Sequence, residues 1–514
     1  GVVNAIDNRI PLDLPDAPVT GDASASFATA ANTRQGSALL DARAGQFAIH
    51  ADVLGRKTDD YAIPSGTQSN SFSRAEGVSL GSSYFFGDNR AGAAIIHYDS
   101  RYGIPAEDAF IDMKQTKGLF GSSFAFENGV LEKLTVDAGY ADYVHSEKEP
   151  DGTIGSTFKD KEWDARAELV FDEIGALSSA AVGTQFQGRK FSALGEGAEY
   201  LLPTDTDTAA GFAFAEAPLS DTIALQVGAR VEHVSVTGTP VSGVLTQRSY
   251  TPISGSAGLV FNPTDMLTFG LTASSAARAP AQTELFSRGP HDGPQTYEIG
   301  DPTLHTERAN SAEATLHFND ERLHLEGALW VTKFNRYIFG NLTGQVCDED
   351  GICGNDPDAE LKEMFYAQRD ATFRGFEASA TFTLVDSPSG TLDLETLADY
   401  VRATFDGNGG NVPRIPPYHI GGGVSWASDS FDASVLLKYA GKQTKTGAAE
   451  TETRGFADLR AQIAWRPFAA RPGVEFAIVG KNLTNETQRN ATALNKDEVI
   501  QPGRDVRFMV RTSF

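Results

Sequence analysis

Arg504–Phe514 reads RDVRFMVRTSF. In steps of two, Val506, Phe508, Val510, Thr512 and Phe514 share one face, while Asp505, Arg507, Met509, Arg511 and Ser513 share the other. Successive strand residues point to opposite sides of a sheet, so one face here is largely apolar and the other carries three charges. A water-soluble sheet turns its apolar face inward. A transmembrane barrel does the reverse, giving the apolar face to lipid and the charged face to a wet interior.

The same alternation recurs upstream. Trp163, Ala165, Ala167, Leu169 and Phe171 interleave with Glu162, Asp164, Arg166 and Glu168. Ile223, Leu225, Val227, Ala229 and Val231 interleave with Gln226, Arg230 and Glu232, and Leu267, Phe269 and Leu271 with Thr268, Gly270 and Thr272. Ala457, Leu459, Ala461, Ile463 and Trp465 interleave with Asp458, Arg460 and Gln462. Charges placed this often inside a dry core would be prohibitive without partners, whereas facing a watery lumen they cost little. No apolar run approaches the ~18 residues of a spanning helix, which excludes a helical membrane protein but not a barrel. The 51 Gly, 32 Phe and 40% hydrophobic residues, with a mean hydropathy of −0.26, fit a chain of many strands and turns.

The connections are of two kinds. Ten are tight and rich in Gly, Pro, Asn and Asp: Ala44-Gly45, Gly87-Asp88-Asn89, Asn128-Gly129, Asp172 to Gly175, Ser220-Asp221, Asn262 to Asp265, Asn319-Asp320, Asp386 to Gly390, Ser428-Asp429 and Arg471-Pro472-Gly473. Between them lie longer polar segments at 55–75, 99–116, 146–160, 188–209, 275–310, 334–373 and 402–419. Short turns on one side and long loops on the other are the asymmetry of an outer-membrane barrel. Ten short turns, with both chain ends on the turn side, leave eleven hairpins. The expected fold is therefore all-β, a 22-stranded antiparallel transmembrane β-barrel with short periplasmic turns and long extracellular loops. That leaves about 23 residues per strand with its connection, room for a span of ~10. This strand number belongs to plugged, ligand-importing barrels rather than to 16–18-stranded porins.

Lys+Arg 43 against Asp+Glu 68 gives a net charge of −25. Such a surface excludes nucleic acid as a partner, because phosphates demand a basic face. It attracts cations or simply keeps long loops soluble. Cys347 and Cys353 are the only cysteines, within CDEDGIC, and their spacing in an otherwise cysteine-free chain fits an oxidising compartment and one small disulfide loop. That loop holds Asp348, Glu349 and Asp350, with Asp356, Asp358, Glu360 and Glu363 just beyond. Clustered oxygens pinned by a disulfide are candidate ligands for a hard cation such as calcium, and equally describe a solvated acidic loop. His291 and His305 share one long loop with Asp292, Glu298 and Asp301, a residue set suited to zinc or a metal chelate. His97 and His145 each precede a long loop, while His50, His233, His317, His324 and His419 read as structural. No nucleophile elbow, His-Glu metal motif or Gly-rich phosphate loop is present, so no enzyme is expected and no resident cofactor beyond a zinc or calcium ion as ligand.

Several stretches together resemble the TonB-dependent outer-membrane receptors. Gly1–Pro11 (GVVNAIDNRIP) is similar to the last strand of that family's plug and its exit into the barrel. Within Ala277–Ser311, Arg278-Ala279-Pro280, Glu284-Leu285-Phe286, Gly300-Asp301-Pro302 and Glu307-Arg308-Ala309-Asn310-Ser311 match landmarks of its long loop. Lys481-Asn482-Leu483-Thr484-Asn485, Pro502-Gly503-Arg504 and the terminal Phe514 complete the likeness. Within the family, Tyr102-Gly103-Ile104-Pro105, Asp112-Met113-Lys114-Gln115-Thr116, Gly139 to Tyr143, Phe191 to Glu196 and Phe373 to Glu377 look most like the zinc-uptake type. Where that subgroup carries a His-rich loop, this chain reads AEDAFID, and Ala491 stands where a His is often found.

The resemblance implies residues 1–20 as the end of a plug with its connection and 21–514 as the barrel. It implies active import of a scarce ligand, a metal ion or metal chelate of zinc or siderophore type, across the outer membrane of a Gram-negative bacterium. Loops Tyr61–Arg74, Tyr102–Thr116 and Ala277–Ser311 would close over that ligand. Its implied partners are the TonB energising complex through a plug segment, the lipid and lipopolysaccharide around a monomeric barrel, and the small ligand itself. A passive channel or surface receptor without energy coupling is the alternative expectation.

Overall fold

A computed structural model describes residues 7–105, 107–127, 129–354, 360–468 and 473–514. Its organising contact joins the two ends of the wall. Val19–Ala28 pairs antiparallel with Asp505–Ser513, from Asp22↔Ser513 to Ala28↔Arg507. Two backbone bonds finish the seam, Gly21 N–H to the Phe514 carbonyl at 2.9 Å and Phe514 N–H to that of Gly21 at 3.0 Å. The first strand pairs on its other side with Thr33–Ala44, and the last with Val474–Lys481. The ladder thus has no free edge, as a sheet surrounded by hydrocarbon requires. The wall is a closed antiparallel barrel of 22 strands, as the turn count predicts. Four further short strands on the loops, Thr246–Tyr250, Arg288–His291, Thr296–Ile299 and Cys353–Gly354, bring the hydrogen-bonded sheet to 26. Among the described residues no helix is long and apolar enough to cross a membrane.

Side-chain exposure follows the expected inverted sense. Phe508, Val510, Trp163, Val227, Val231, Leu271 and Ile463 are all exposed to the outside. The alternate positions meet across the lumen face, where Arg166 bonds Glu168 at 2.6 Å, Arg230 bonds Glu232 and Gln226 bonds Glu216. The tight turns fall where Gly and Asn predict them, with Gly45 and Gly87 at left-handed φ of 65° and 61°. The turn residues Asn128 and Arg471-Pro472, the expected strand Val2–Ile6, and Asp356 and Asp358 lie outside the described residues.

The long loops are shorter than expected. Strands Asn89–Gly103 and Phe110–Ala125 leave only 104–109 as connection, rather than 99–116. Leu131–Lys148 and Ile154–Phe171 leave 149–153, and Leu323–Cys347 with Leu361–Ser387 leaves 348–360. The last of these strands has 27 residues, far more than a crossing needs. Above the lipid both faces of a hairpin are wet, so hydrophobic alternation stops while the backbone ladder continues. Polarity alone therefore reads as loop.

On the inner wall lie Asp7–Pro11. Arg9 Nε donates to Asp52 at 3.2 Å and to Ser79 at 3.3 Å, and Asn8 donates to Asp41 at 2.7 Å. Gly81 makes this possible, since a Cβ there would sit 1.7 Å from the Arg9 carbonyl oxygen. His50, buried as expected of a structural residue, bridges Asp41 and Asp52 in the same cluster.

At the outer end the loops have a core of their own. Leu285 and Phe286, on the short helix Gln282–Phe286, pack fully buried against Tyr200, Leu201, Val236, Tyr250 and Ile338. Arg278 anchors this loop at both ends. Its guanidinium donates to Glu284 at 2.8 and 3.0 Å and to Glu307 at 3.1 and 3.3 Å. Glu307 in turn accepts from the Ile338 N–H at 2.6 Å.

Two outcomes follow from these contacts. Gly21→Val places a Cβ against the Phe514 ring, which already stands 2.6 Å from that point, and should cost the seam about 1–3 kcal/mol. Urea unfolding measures this, and Phe514→Ala in the same chain should recover most of it. Arg278→Ala leaves Glu284 and Glu307 without their shared cation. Discounted for the 43% exposure of the Arg278 side chain, the loss is about 1–2 kcal/mol, felt locally. Protease cleavage within 279–306 should rise roughly tenfold while the barrel stays folded.

Candidate acidic cavity at the outer mouth

The extended hairpins enclose a cavity of about 1110 Å3 at the outer mouth. Its lining holds ten carboxylates: Glu107, Asp108, Glu149, Glu196, Asp292, Asp348, Glu349, Asp350, Glu360 and Glu498. Among the described residues no Lys, Arg or His lines it, although Lys362 pairs with Glu498 from beside the lining. The residues come from six separate connections, so the cavity exists only because the barrel brings those connections together.

Side chains hold the walls in place. Asn70 donates its amide to the carbonyls of Ile104 and Glu107 at 3.1 and 2.8 Å, tying 59–72 to 104–109. Tyr61 donates to the Ile500 carbonyl at 2.8 Å, and the Ile500 N–H donates to Gln68 at 3.0 Å. Lys362 reaches the Leu494 carbonyl and Glu498 at 3.0 and 3.2 Å, fixing the last connection to the strand below the disulfide. Cys347 and Cys353 are joined, as their spacing suggests, and hold 348–352 in a tight loop closed by Ile352 N–H donation to Asp348 at 2.8 Å.

Crowding of like charge marks this cavity. Burial pushes the Glu107 carboxyl up to about 7, with Asp292, Glu147, Glu149 and Glu360 adding to the shift. Burial likewise raises Asp292 to about 6, reinforced by Glu147 and Glu349 and opposed by His291. Both groups therefore hold their protons to higher pH than an ordinary carboxyl does.

The candidate ligands of the sequence divide. Asp348, Glu349 and Asp350 line the cavity together with Asp292 and Glu360. His291 lies outside that lining; its Nδ1 bonds Glu298 at 2.9 Å and its ring stacks on Tyr200 at 4.3 Å. Burial would raise the Glu298 carboxyl, but hydrogen bonds from His291, Thr296 and Tyr366 hold it below the ordinary range. Its oxygens are committed to those donors. His305 is placed elsewhere, with its backbone N–H and carbonyl both held by Gln368 at 2.9 and 2.7 Å. His97 shares the outward face with Ile95, and His145 points inward against Tyr143 and Phe158. Among the described residues, the one set of three His, Cys, Asp or Glu ligand atoms within 4.8 Å is Cys347, Cys353 and Glu363, whose sulfurs are spent on the disulfide. The cavity thus gathers charge without a ready-made tight chelate. Glu107, Asp108, Glu149, Glu196 and Glu498 escape sequence reasoning, since they lie in four separate polar segments that no local pattern joins.

Residues 34–483 match the family described as TonB dependent receptor-like, beta-barrel. In fold the chain is similar to the copper transporter OprC, with a TM-score of 0.84 at 14% identity over 98% of this chain and 81% of that one. It is similar also to the FrpB iron transporter from Neisseria meningitidis (F3-3 variant), with a TM-score of 0.75 at 15% identity over 97% and 82%. The siderophore receptor PirA from Pseudomonas aeruginosa superposes with a TM-score of 0.71 at 12% identity over 98% and 81%. None of these singles out a zinc receptor. The chain belongs to the TonB-dependent receptors, transporters of the Gram-negative outer membrane.

Proposed function

We propose that this barrel imports a metal, captured as a hydrated cation or a positively charged chelate in the acidic cavity at its outer mouth. The observation that carries this reading is the lining of ten carboxylates with, among the described residues, no basic one. An all-negative concave site concentrates cations and repels anionic chelates. Oxygen ligands without His, and with the lining Cys347 spent on the disulfide, suit hard cations over a tetrahedral zinc or copper(I) site. The copper and iron named for the neighbouring folds support metal as the class of cargo. Energy comes from TonB, as family membership implies, acting on a plug of which Asp7–Pro11 form the exit along the inner wall. The loop 277–311, with its own core, and the connections strapped around the cavity close the captured cargo from solvent. The barrel works as a monomer within lipid and lipopolysaccharide.

Equilibrium dialysis of the purified protein against Mn2+, Zn2+ and Cu2+ tests the site. Asp348→Asn, Glu349→Gln and Asp350→Asn together should weaken binding roughly tenfold or more. Unchanged binding in this triple variant, or no micromolar binding of any of the three ions, sinks the reading. The pH dependence has a definite sign. Glu107 and Asp292, at about 7 and 6, hold protons that a cation must displace, so affinity should rise between pH 5.5 and 7.5 with proton release. Because these folded-state values are raised, the empty rim binds extra protons and loses stability as pH climbs through that window; bound cation should restore it. Glu107→Gln with Asp292→Asn should flatten both curves, which calorimetry in two buffers of different ionisation heat detects.

A further inference from the structure

The outward face carries a feature opposite in sign to the cavity. Arg34, Lys57, Arg74 and Arg101 stand directly opposite one another on four neighbouring strands, through the pairs Arg34↔Lys57, Lys57↔Arg74 and Arg74↔Arg101. All four point away from the lumen, on the same strand faces as the exposed Leu40, Val53, Val78 and Ile95. Like charges directly opposite one another destabilise a sheet, and here four follow in a row in a chain of net charge −25. Among the described residues only Arg101 has a carboxylate partner, Asp112 at 2.8 Å; Arg34, Lys57 and Arg74 make no side-chain ion pair. Beside the row, Arg74, Arg101, Lys114 and Lys148 line a cavity of about 430 Å3 together with the carboxylates Glu76, Asp99 and Asp112, the last paired with both Arg101 and Lys148, so the unpaired charge of the row lies at Arg34, Lys57 and Arg74.

The position of the row identifies its surroundings. At the turn end of the same wall, Phe47, Tyr84 and Phe86 form an aromatic cluster with ring centroids 4.8 and 5.7 Å apart. From Phe86 up to Arg74, at ~3.3 Å per residue and a tilt of ~40°, the strand climbs about 30 Å. The apolar belt of such barrels is ~25 Å tall. Arg74 and its neighbours therefore stand just above the hydrocarbon, at the level of the outer-leaflet headgroups.

We propose that the Arg34–Lys57–Arg74–Arg101 row binds the phosphate groups of an anionic, phosphorylated lipid in the outer leaflet. The row is repulsive when bare, and two or more phosphates on one headgroup would neutralise it. Guanidinium groups supply paired donors that match phosphate oxygens, and basic residues at a membrane surface each add to the attraction. The inference rests on the barrel's place in the outer membrane and not on the cargo of the acidic cavity.

The test titrates the detergent-purified barrel with diphosphoryl lipid A and reads bound lipid by native mass spectrometry. Lys57→Gln with Arg74→Gln should reduce lipid binding at least about tenfold, and Lys57→Glu with Arg74→Glu more. Both variants should keep the heat-modifiable gel mobility of a folded barrel and the same Mn2+ affinity as the parent, so that this inference and the cation site fail separately. Lipid binding unchanged in the folded Gln variant overturns the proposal. Competition by millimolar inorganic phosphate as effective as competition by lipid assigns the row to free phosphate and overturns the lipid assignment. If the Glu variant does not fold, the Gln variant and a fall in lipid binding between 50 and 500 mM salt in the parent decide the matter, with no salt effect counting against it.

Discussion

Everything in this molecule hangs on the pairing of Val19–Ala28 with Asp505–Ser513. A sheet with an open edge in hydrocarbon leaves a column of backbone N–H and C=O groups without partners, each at a cost of several kcal/mol. Joining first strand to last removes that column. It also fixes the circumference of the wall, and with it which hairpins stand next to each other at the outer end. The acidic cavity is assembled from connections distant in sequence, so it is a product of closure rather than of any local motif. Gly21 shows how tight the seam is, because only a residue without a side chain lets the Phe514 ring lie across it.

Much of this architecture is legible in the chain. Alternation such as that of Arg504–Phe514 reports which face meets lipid, and turn residues such as Gly45 and Gly87 report where the strands reverse. What is not legible begins where lipid ends. Residues 99–103 and 110–116 are strand, yet their outward face carries Asp99, Arg101, Asp112 and Lys114, so the apolar lipid-facing period that marks a crossing is lost. The site shows the same limit. Asp348, Glu349 and Asp350 are visible because they are consecutive and framed by two cysteines. Glu107, Glu149, Glu196 and Glu498 lie in separate segments with no framing motif, joined only by the barrel's curvature. His291 and His305 look like a pair because they share a loop. In the fold one is held by Glu298 and Tyr200 and the other lies beside Gln368, because that loop is stretched over a core rather than coiled on itself.

The charge of the protein is sorted by surface rather than spread evenly. Carboxylates gather inside the outer mouth, where they create a field for cations entering from solution. A row of cations stands on the outer flank, where the wall meets headgroups, with Glu76, Asp99 and Asp112 to one side of it. The strands place the basic row and the connections above them place the acids: on Asn89–Gly103, Arg101 looks out while its immediate neighbours look in, and Glu107 and Asp108 follow in the connection beyond.

The straps around the cavity carry a thermodynamic consequence. Asn70, Tyr61, Gln68 and Lys362 tie three connections and the strand Leu361–Ser387 to one another before any cargo arrives. Loops that are already ordered surrender little conformational entropy on binding, so attraction between cargo and carboxylates is not consumed in arranging the walls. The ordering has been done during folding, at the expense of crowding negative charge together. A cation entering this cavity meets a host that resembles a compressed spring more than an open hand.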